Sequence, residues 1–451
     1  MYQTFFGARQ TMHVKFKASL SVLAAVMVFA PLTAPMAADD KTLFFPVFAY
    51  RTGPYASSGI PLANGFVDYM TLLNERDGGI NGFKIAFEEC ETEYKTDLGV
   101  ECYERLKKKA PVLINSWSTG LTYQLVPKAS VDNVVVHSIG AGVTASADGR
   151  WFPWIFNFPM TWWSQASAVV KYIGQQEGGL DKLKGNKIAY VFHNSPYGKE
   201  AISTLEALAK RYGFELIELP VDHPGQEQKA TWLKIRRDNP AWIYLAGWGV
   251  MSQVAIKEAA AIGYPMKHLI GNWVTGSEAD LVPAGKAAKG YRSTAMNVPG
   301  GDFPVHKDIL KYVYDRSKGS GARERVGEVI YNRGLLNAMF NAEAIRTAMA
   351  KYGNGPLTGE KVRWGYEHLS LTEKRLEELG MKNFIRPLAV SCENHEGNGQ
   401  LLIQEWDGNR WKVASDWIEP MRDVVRPNLE RAAEEEGKKL GLTRHSCDKS
   451  S

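Results

Sequence analysis

Beyond one stretch near its start, the sequence lacks any apolar run of about 18 residues, so the remainder holds no segment able to span a bilayer. It also lacks blocks of a single charge. Its 54 Lys and Arg are interleaved with 49 Asp and Glu, which leaves a net charge of +5 and no basic run for nucleic acid. Catalytic signatures are missing too. There is no Gly-x-Ser-x-Gly, no Walker phosphate loop and no His-Glu-x-x-His. With no nucleophile–base set to name, the chain is not expected to be an enzyme. Cysteine is scarce, four in 451 residues, and no Cys–His spacing suits zinc, so no metal site is expected. Gly140-Ala-Gly142, with Ala145 at the third position, starts like a dinucleotide fingerprint. No acidic residue ends a strand about twenty positions later, so no cofactor is expected.

What is present begins with a targeting segment. Lys15 and Lys17 precede an apolar stretch from Ala18 to Ala30, followed by Pro31-Leu-Thr-Ala-Pro-Met-Ala-Ala38 and the acidic pair Asp39-Asp40. A positive region, a short apolar core and a small-residue cleavage end describe a secretory signal peptide, assigned to residues 1–38. Met12 is an alternative start. No cysteine sits at the cleavage region, which argues against a lipid-anchored mature end. All four cysteines lie in the exported part, where an even number reads as disulfides. Cys90 with Cys102 is the favoured pair, closing a short loop between a strand end and the next helix, and Cys392 with Cys447 would tie down the tail. The 13 Trp and 19 Tyr must be buried or must line something.

Along the mature chain, apolar runs alternate with helical patterns. Strands are expected at Leu43–Ala49, Phe83–Glu89, Pro111–Asn115 and Val134–His137, with helices between them. The runs are continuous rather than alternating, as in strands buried on both faces of a parallel sheet. The rhythm restarts at Lys187–Phe192, Phe214–Leu219, Trp242–Ala246 and His268–Gly271, predicting a second α/β unit. Ile155-Phe-Asn-Phe-Pro159 and Tyr291–Val298 read as crossovers between the units. Helices near Val305–Arg316 and Glu328–Lys351 would pack on the first unit. Leu401–Val413 reads as a hairpin around Asp407-Gly408, and the charged end from about Leu429 as a surface helix and loose tail.

Two loops stand at the carboxyl ends of predicted parallel strands, where open α/β sheets bind ligands: Ser116-Trp-Ser-Thr-Gly120 and His137-Ser-Ile-Gly-Ala-Gly142. Hydroxyls and free backbone N–H groups at a helix start suit a carboxylate. The plainer reading is that Ser118 and Thr119 cap the helix.

The order of several motifs carries more. Arg51-Thr-Gly-Pro-Tyr, Trp117-Ser-Thr-Gly, Asn194-Ser-Pro-Tyr-Gly198, Asn239-Pro-Ala-Trp-Ile-Tyr-Leu-Ala-Gly247 and Gly355-Pro-Leu-Thr-Gly-Glu360 fall in one sequence. In this the chain resembles the leucine/isoleucine/valine-binding proteins of ABC transporters, over roughly Leu43 to Met421. The resemblance implies an α/β fold of two Rossmann-like lobes, the type I periplasmic binding fold, joined by a three-segment hinge that closes on a ligand. It divides the chain into lobe 1 at residues 39–157 and 293–388, lobe 2 at 158–292 and 389–425, and a tail at 426–451. It also implies a monomer in the periplasm whose partners are a small molecule and an inner-membrane ABC permease.

Carried over by position, Ser118 and Thr119 resemble the residues that hold a ligand carboxylate. Gly140 and Gly142 fall on the second carboxylate loop, where the family often has Ala and Thr, so one hydroxyl donor is lost. Tyr197, Trp248 and Tyr331 fall at or near aromatics of the cleft, with Trp117 beside Ser118. The departures matter. Cys102 sits in the helix after the second strand rather than beside the Ser118 loop. Trp273 stands where amino-acid binders carry the acid for the ligand ammonium. A shift of the alignment would instead bring in Glu278 or Asp280. An ammonium buried without an anion costs several kcal/mol. The expected ligand is therefore a hydrophobic or aromatic carboxylate, its rings between Trp117, Trp248 and Trp273. A branched-chain amino acid, an amide or urea, or a sensory role is the alternative.

Overall fold

The first strand, β1 (Thr42–Ala49), is buried along almost its whole length, as a central parallel strand must be. In this computed structural model residues 41–447 are described, and the expected signal peptide lies outside them. Four more strands join β1: β2 (Lys84–Glu91), β3 (Ile114–Asn115), β4 (Val136–His137) and β5 (Ile155–Phe156). All pair in parallel, in the order β2-β1-β3-β4-β5. This order reverses between β1 and β3, which opens a crevice at their carboxyl ends.

The second sheet repeats the plan. Its strands β6 (Lys187–His193), β7 (Glu215–Val221), β8 (Trp242–Ala246), β9 (Leu269–Gly271) and β10 (Arg292–Ala295) are parallel, in the order β10-β9-β8-β6-β7. A short pair, β11 (Ser370–Leu371) with β12 (Leu388–Ala389), stands apart. The hairpin β13 (Leu402–Trp406) and β14 (Trp411–Val413) adds antiparallel strands to the edge at β10, turning through Asp407-Gly408-Asn-Arg410. Both expected crossovers begin as strands: β5 and β10 are the last parallel strands of their sheets before the chain leaves them. β10 stays in the second sheet as far as Ala295, three residues past the expected change of lobe at 292. The chain thus passes between the sheets three times, after β5, after β10 and before β13.

The first helix spans Ala56–Asp77 with Pro61 inside it. It packs along the helix Val329–Tyr352 at close range. A Cβ on Gly65 would lie 1.9 Å from the Tyr331 carbonyl oxygen, and one on Gly334 would lie 1.9 Å from that of Leu62. Only glycine lets the two backbones approach so closely. The second helix runs Thr96–Leu106, with Asp97 in its first turn. Cys90–Cys102 joins β2 to that helix, and Cys392–Cys447 holds the tail. The final helix, Arg422–Lys439, begins before Leu429 and buries Val425, Leu429 and Ala433. It touches both halves through Arg150–Glu430 and Arg211–Asp423.

Candidate functional site

The carboxyl ends of both sheets face one cavity. From the first sheet, Tyr50 follows β1, Tyr94 follows β2, Trp117 and Thr119 follow β3, and Ser138, Ile139 and Ala141 follow β4. Leu62 reaches it from the helix Ala56–Asp77. The second sheet gives Tyr197 after β6, Trp248 after β8, and Trp273 and Val274 after β9. Trp162, first residue of the helix Trp162–Gln176, enters from the crossover.

Local conformation aims these side chains. Trp117 (φ 41°) and Ile139 (φ 44°) both adopt left-handed backbone, unusual for a bulky residue and most costly for a β-branched one. Such outliers persist only where the surroundings hold them, and here both point to a loop shaped for a site. Ser118 caps the helix Thr119–Asp132, accepting from Leu121 N at 3.4 Å. Gly142 makes room for Thr119: a Cβ there would lie 2.2 Å from Thr119 Cγ2.

The wall is aromatic. Trp162 and Trp273 lie nearly parallel, with centroids 5.9 Å apart and planes at 8°. Tyr197 leans on Trp162 at 4.8 Å, and Trp248 meets Tyr50 and Tyr94 at 6.1 Å each. Burial raises the hydroxyls of Tyr50, Tyr94 and Tyr197 far above their ordinary value, so all three stay neutral.

Some polar atoms of the wall are already matched. Trp117 Nε1 donates to Asn337 Oδ1 at 2.6 Å, and Trp162 Nε1 donates to Thr119 Oγ1 at 3.3 Å. Tyr197 donates to the Gly247 carbonyl at 2.8 Å and accepts from Asn272 Nδ2 at 2.6 Å. Three others have no partner among the described residues: Tyr50 OH, Trp248 Nε1 and Trp273 Nε1. All three can donate. No Asp, Glu, Lys, Arg or His among the described residues lines the cavity.

Beside the cavity the lobes touch through a second polar set. Tyr55 OH lies 2.9 Å from His193 Nε2 and 3.1 Å from His223 Nδ1. His193 Nδ1 meets Ser195 Oγ at 2.8 Å. Burial holds His193 down to about 3, with His223 adding to the shift. Glu200 accepts from Tyr123 OH at 2.8 Å and from Thr144 N at 3.1 Å. Tyr55 packs on Tyr94 and His193 on Tyr197, which joins this contact to the cavity wall.

A model of the periplasmic binding protein family matches residues 42–410. The chain belongs to the periplasmic binding protein family. A solved structure described as an ABC transporter permease from the Pseudomonas fluorescens group is 42% identical over 91% of this chain and 100% of its own, with a TM-score of 0.84. A branched-chain amino acid ABC transporter from Thermus thermophilus with bound valine is 20% identical, covering 86% of this chain and 99% of its own at a TM-score of 0.71. A solute-binding protein from R. palustris in complex with benzoate is 15% identical, covering 84% and 97% at 0.66. The last two identities establish a shared fold and nothing finer. No curated protein matches the sequence. No helix among the described residues is long and apolar enough to cross a membrane.

This binding protein brings five of the nine expected site residues onto the cavity: Trp117, Thr119, Tyr197, Trp248 and Trp273. Ser118 does not line the cavity; its hydroxyl caps the helix Thr119–Asp132. Gly140 and Gly142 flank the lining residues Ile139 and Ala141 and present no side chain. Tyr331 lies elsewhere; its hydroxyl donates to Asp68 Oδ2 at 2.8 Å between the two long helices. Neither alternative acid lines the cavity. Glu278 accepts from Val329 N at 3.1 Å, and Asp280 forms a capping box with Ser277. Burial pushes both carboxyls up to about 8. Sequence reasoning missed Tyr50, Tyr94 and Trp162. Tyr50 directly follows the first strand, and the rule that selected the Trp117 loop applies equally to it. Trp162 follows a crossover and carries no such signal.

Proposed function

We propose that this periplasmic binding protein is the receptor of an ABC importer that takes a small aromatic or hydrophobic carboxylate between its lobes and delivers it to an inner-membrane permease. It does so in the periplasm, as a monomer exported by its N-terminal segment. The observation that carries this reading is the chemistry of the wall: aromatic surfaces, three unmatched donors and no carboxylate. An α-amino acid would bring an ammonium group into that wall with no anion to meet it, at a cost of several kcal/mol. A carboxylate instead accepts from the free indole N–H groups and the Tyr50 hydroxyl, and such bonds to a charged acceptor are the stronger kind. Burying roughly 120 Å2 of ring at about 25 cal/mol per Å2 adds about 3 kcal/mol before the costs of association.

Binding and closure are one equilibrium. A ligand shifts the lobes toward the closed form only by its preference for that form. A ligand touching Thr119 on one lobe and Trp273 on the other has that preference built in.

Thermal unfolding of the mature protein with benzoate-type acids, phenylpropanoid acids, leucine, isoleucine, valine, phenylalanine, urea and short amides tests the reading. A ligand at about 100 times its Kd adds about 2.7 kcal/mol of stability, a rise of a few degrees. Shifts with the aromatic acids and none with the amino acids are expected. A shift with leucine or valine alone would overturn the ligand class.

A further inference from the structure

The cavity wall carries no charge, yet a charge lies directly beneath it. Arg333, on the helix Val329–Tyr352, is fully buried. Its guanidinium carbon sits 5.3 Å from the Trp273 ring centre. Of its nitrogens, Nη1 donates to Asn297 Oδ1, while Nε and Nη2 have no partner among the described residues. Such a guanidinium is costly to bury, and its surroundings do not explain the expense. The acid whose charge bears on it is Glu278, which burial pushes up to about 8 and so leaves largely protonated at neutral pH. Arg333 itself is lowered by burial to about 9 and remains cationic there.

We infer that Arg333 is the anion-selecting residue of the cavity, acting through Trp273 to favour a carboxylate over the neutral ligand of the same shape. This deepens the proposed function and rests on it. The cation stacked beneath the indole draws electron density from the ring and strengthens its Nε1–H as a donor. Its field also reaches the ligand directly. With a carboxylate accepting from that N–H at the ring edge, on the order of 7 Å from the guanidinium, Coulomb's law at an effective dielectric constant of about 20 gives tenfold or more in affinity, about 2 kcal/mol. The ring keeps water from the cation, so salt screens the effect little.

Titration calorimetry with benzoate and benzamide tests this on the mature protein. The native chain is expected to prefer benzoate. Arg333→Gln should weaken benzoate about tenfold or more and leave benzamide within about threefold, while Arg333→Lys should keep most of the preference. Equal losses for both ligands would mean that Arg333 only props the lobes, and no change would mean that its charge does not reach the ligand; either overturns the inference. Should Arg333→Gln fail to fold, the native chain at pH 7 and pH 9 gives a second reading. Glu278 ionises and Arg333 begins to lose its proton over that interval, so the benzoate preference must shrink, and a constant ratio refutes the role. A native chain that binds neither probe sinks the proposed ligand class itself, whereas one that binds benzoate with an unaltered ratio in Arg333→Gln sinks only the role of Arg333.

Discussion

The cavity and the contact beside it are built from the same materials and differ in one respect. Both lie where the lobes meet, and both are made of aromatic rings with polar edges. At Tyr55, His193, His223 and Ser195 each polar atom described finds another within the chain. In the cavity Tyr50 OH, Trp248 Nε1 and Trp273 Nε1 find none among the described residues. A buried donor without an acceptor costs about 1–3 kcal/mol, and buried polar groups are rarely left so. One region therefore uses its hydrogen bonds to hold the lobes together, and the other leaves three donors free for the proposed ligand. The two should respond differently to mutation: changes in the cavity alter which ligand binds, and changes in the contact alter how firmly any ligand is held.

The largest effect is expected from giving the wall the charge it lacks. Val274→Asp puts a carboxylate on the lining and should weaken benzoate by at least about a hundredfold, since a like charge in a buried site is both repelled and unpaired. Calorimetry that finds benzoate unaffected would show that the ligand's carboxylate binds elsewhere. Next come Trp273→Phe and Trp248→Phe. Each keeps an aromatic face and removes one free N–H. Loss of a bond to a charged acceptor predicts roughly thirtyfold for benzoate and distinctly less for benzamide, measured the same way. Equal losses for the two ligands would assign these rings to packing alone.

How much of this was visible in the residues follows from what each signal depends on. The strands were legible because each is an apolar run between turn residues, as in Trp242–Ala246, where expected and observed strands coincide. Strand ends then located the Trp117 and Ser138 loops, because parallel sheets bind at their carboxyl edge. Tyr331 was placed by family position, but its hydroxyl is taken by Asp68, 263 residues away. No local pattern announces such a pairing. Trp162 was hidden for a similar reason: it reaches the cavity because the crossover delivers the start of its helix beside Trp273. The pairing Tyr55–His193 spans 138 residues and both lobes, so the contact beside the cavity lay beyond the sequence altogether.

That contact predicts a pH dependence of about tenfold. With Tyr55 packed against it, His193 is held down to about 3, against an ordinary value near 6.5. A histidine depressed by closure contributes fully above 6.5, and its contribution is lost as pH falls from 6.5 toward 3. Benzoate affinity should therefore drop about tenfold between pH 7.5 and 5.5 through this group. The charges facing it must be counted as well. Asp222 favours protonation of His223. Glu200, raised by burial, works in the opposite sense and favours closure as pH falls. Comparison with His193→Asn isolates the histidine, because Glu200 is common to both chains. A native chain no more acid-sensitive than His193→Asn would show that the ring stays neutral for another reason.

The smallest effect expected is also the cleanest separation of the two regions. Tyr55→Phe removes the hydroxyl shared by His193 and His223 and leaves the ring packed on Tyr94. Closure loses one hydrogen-bonded contact, worth about fivefold in affinity. Because the loss falls on the shared closing step and not on the ligand, benzoate and benzamide must weaken together. Their ratio stays that of the native chain, whereas Trp273→Phe and Arg333→Gln shift it. If Tyr55→Phe changes the ratio, the contact reaches the ligand after all, and the division between a region that holds and a region that selects does not stand.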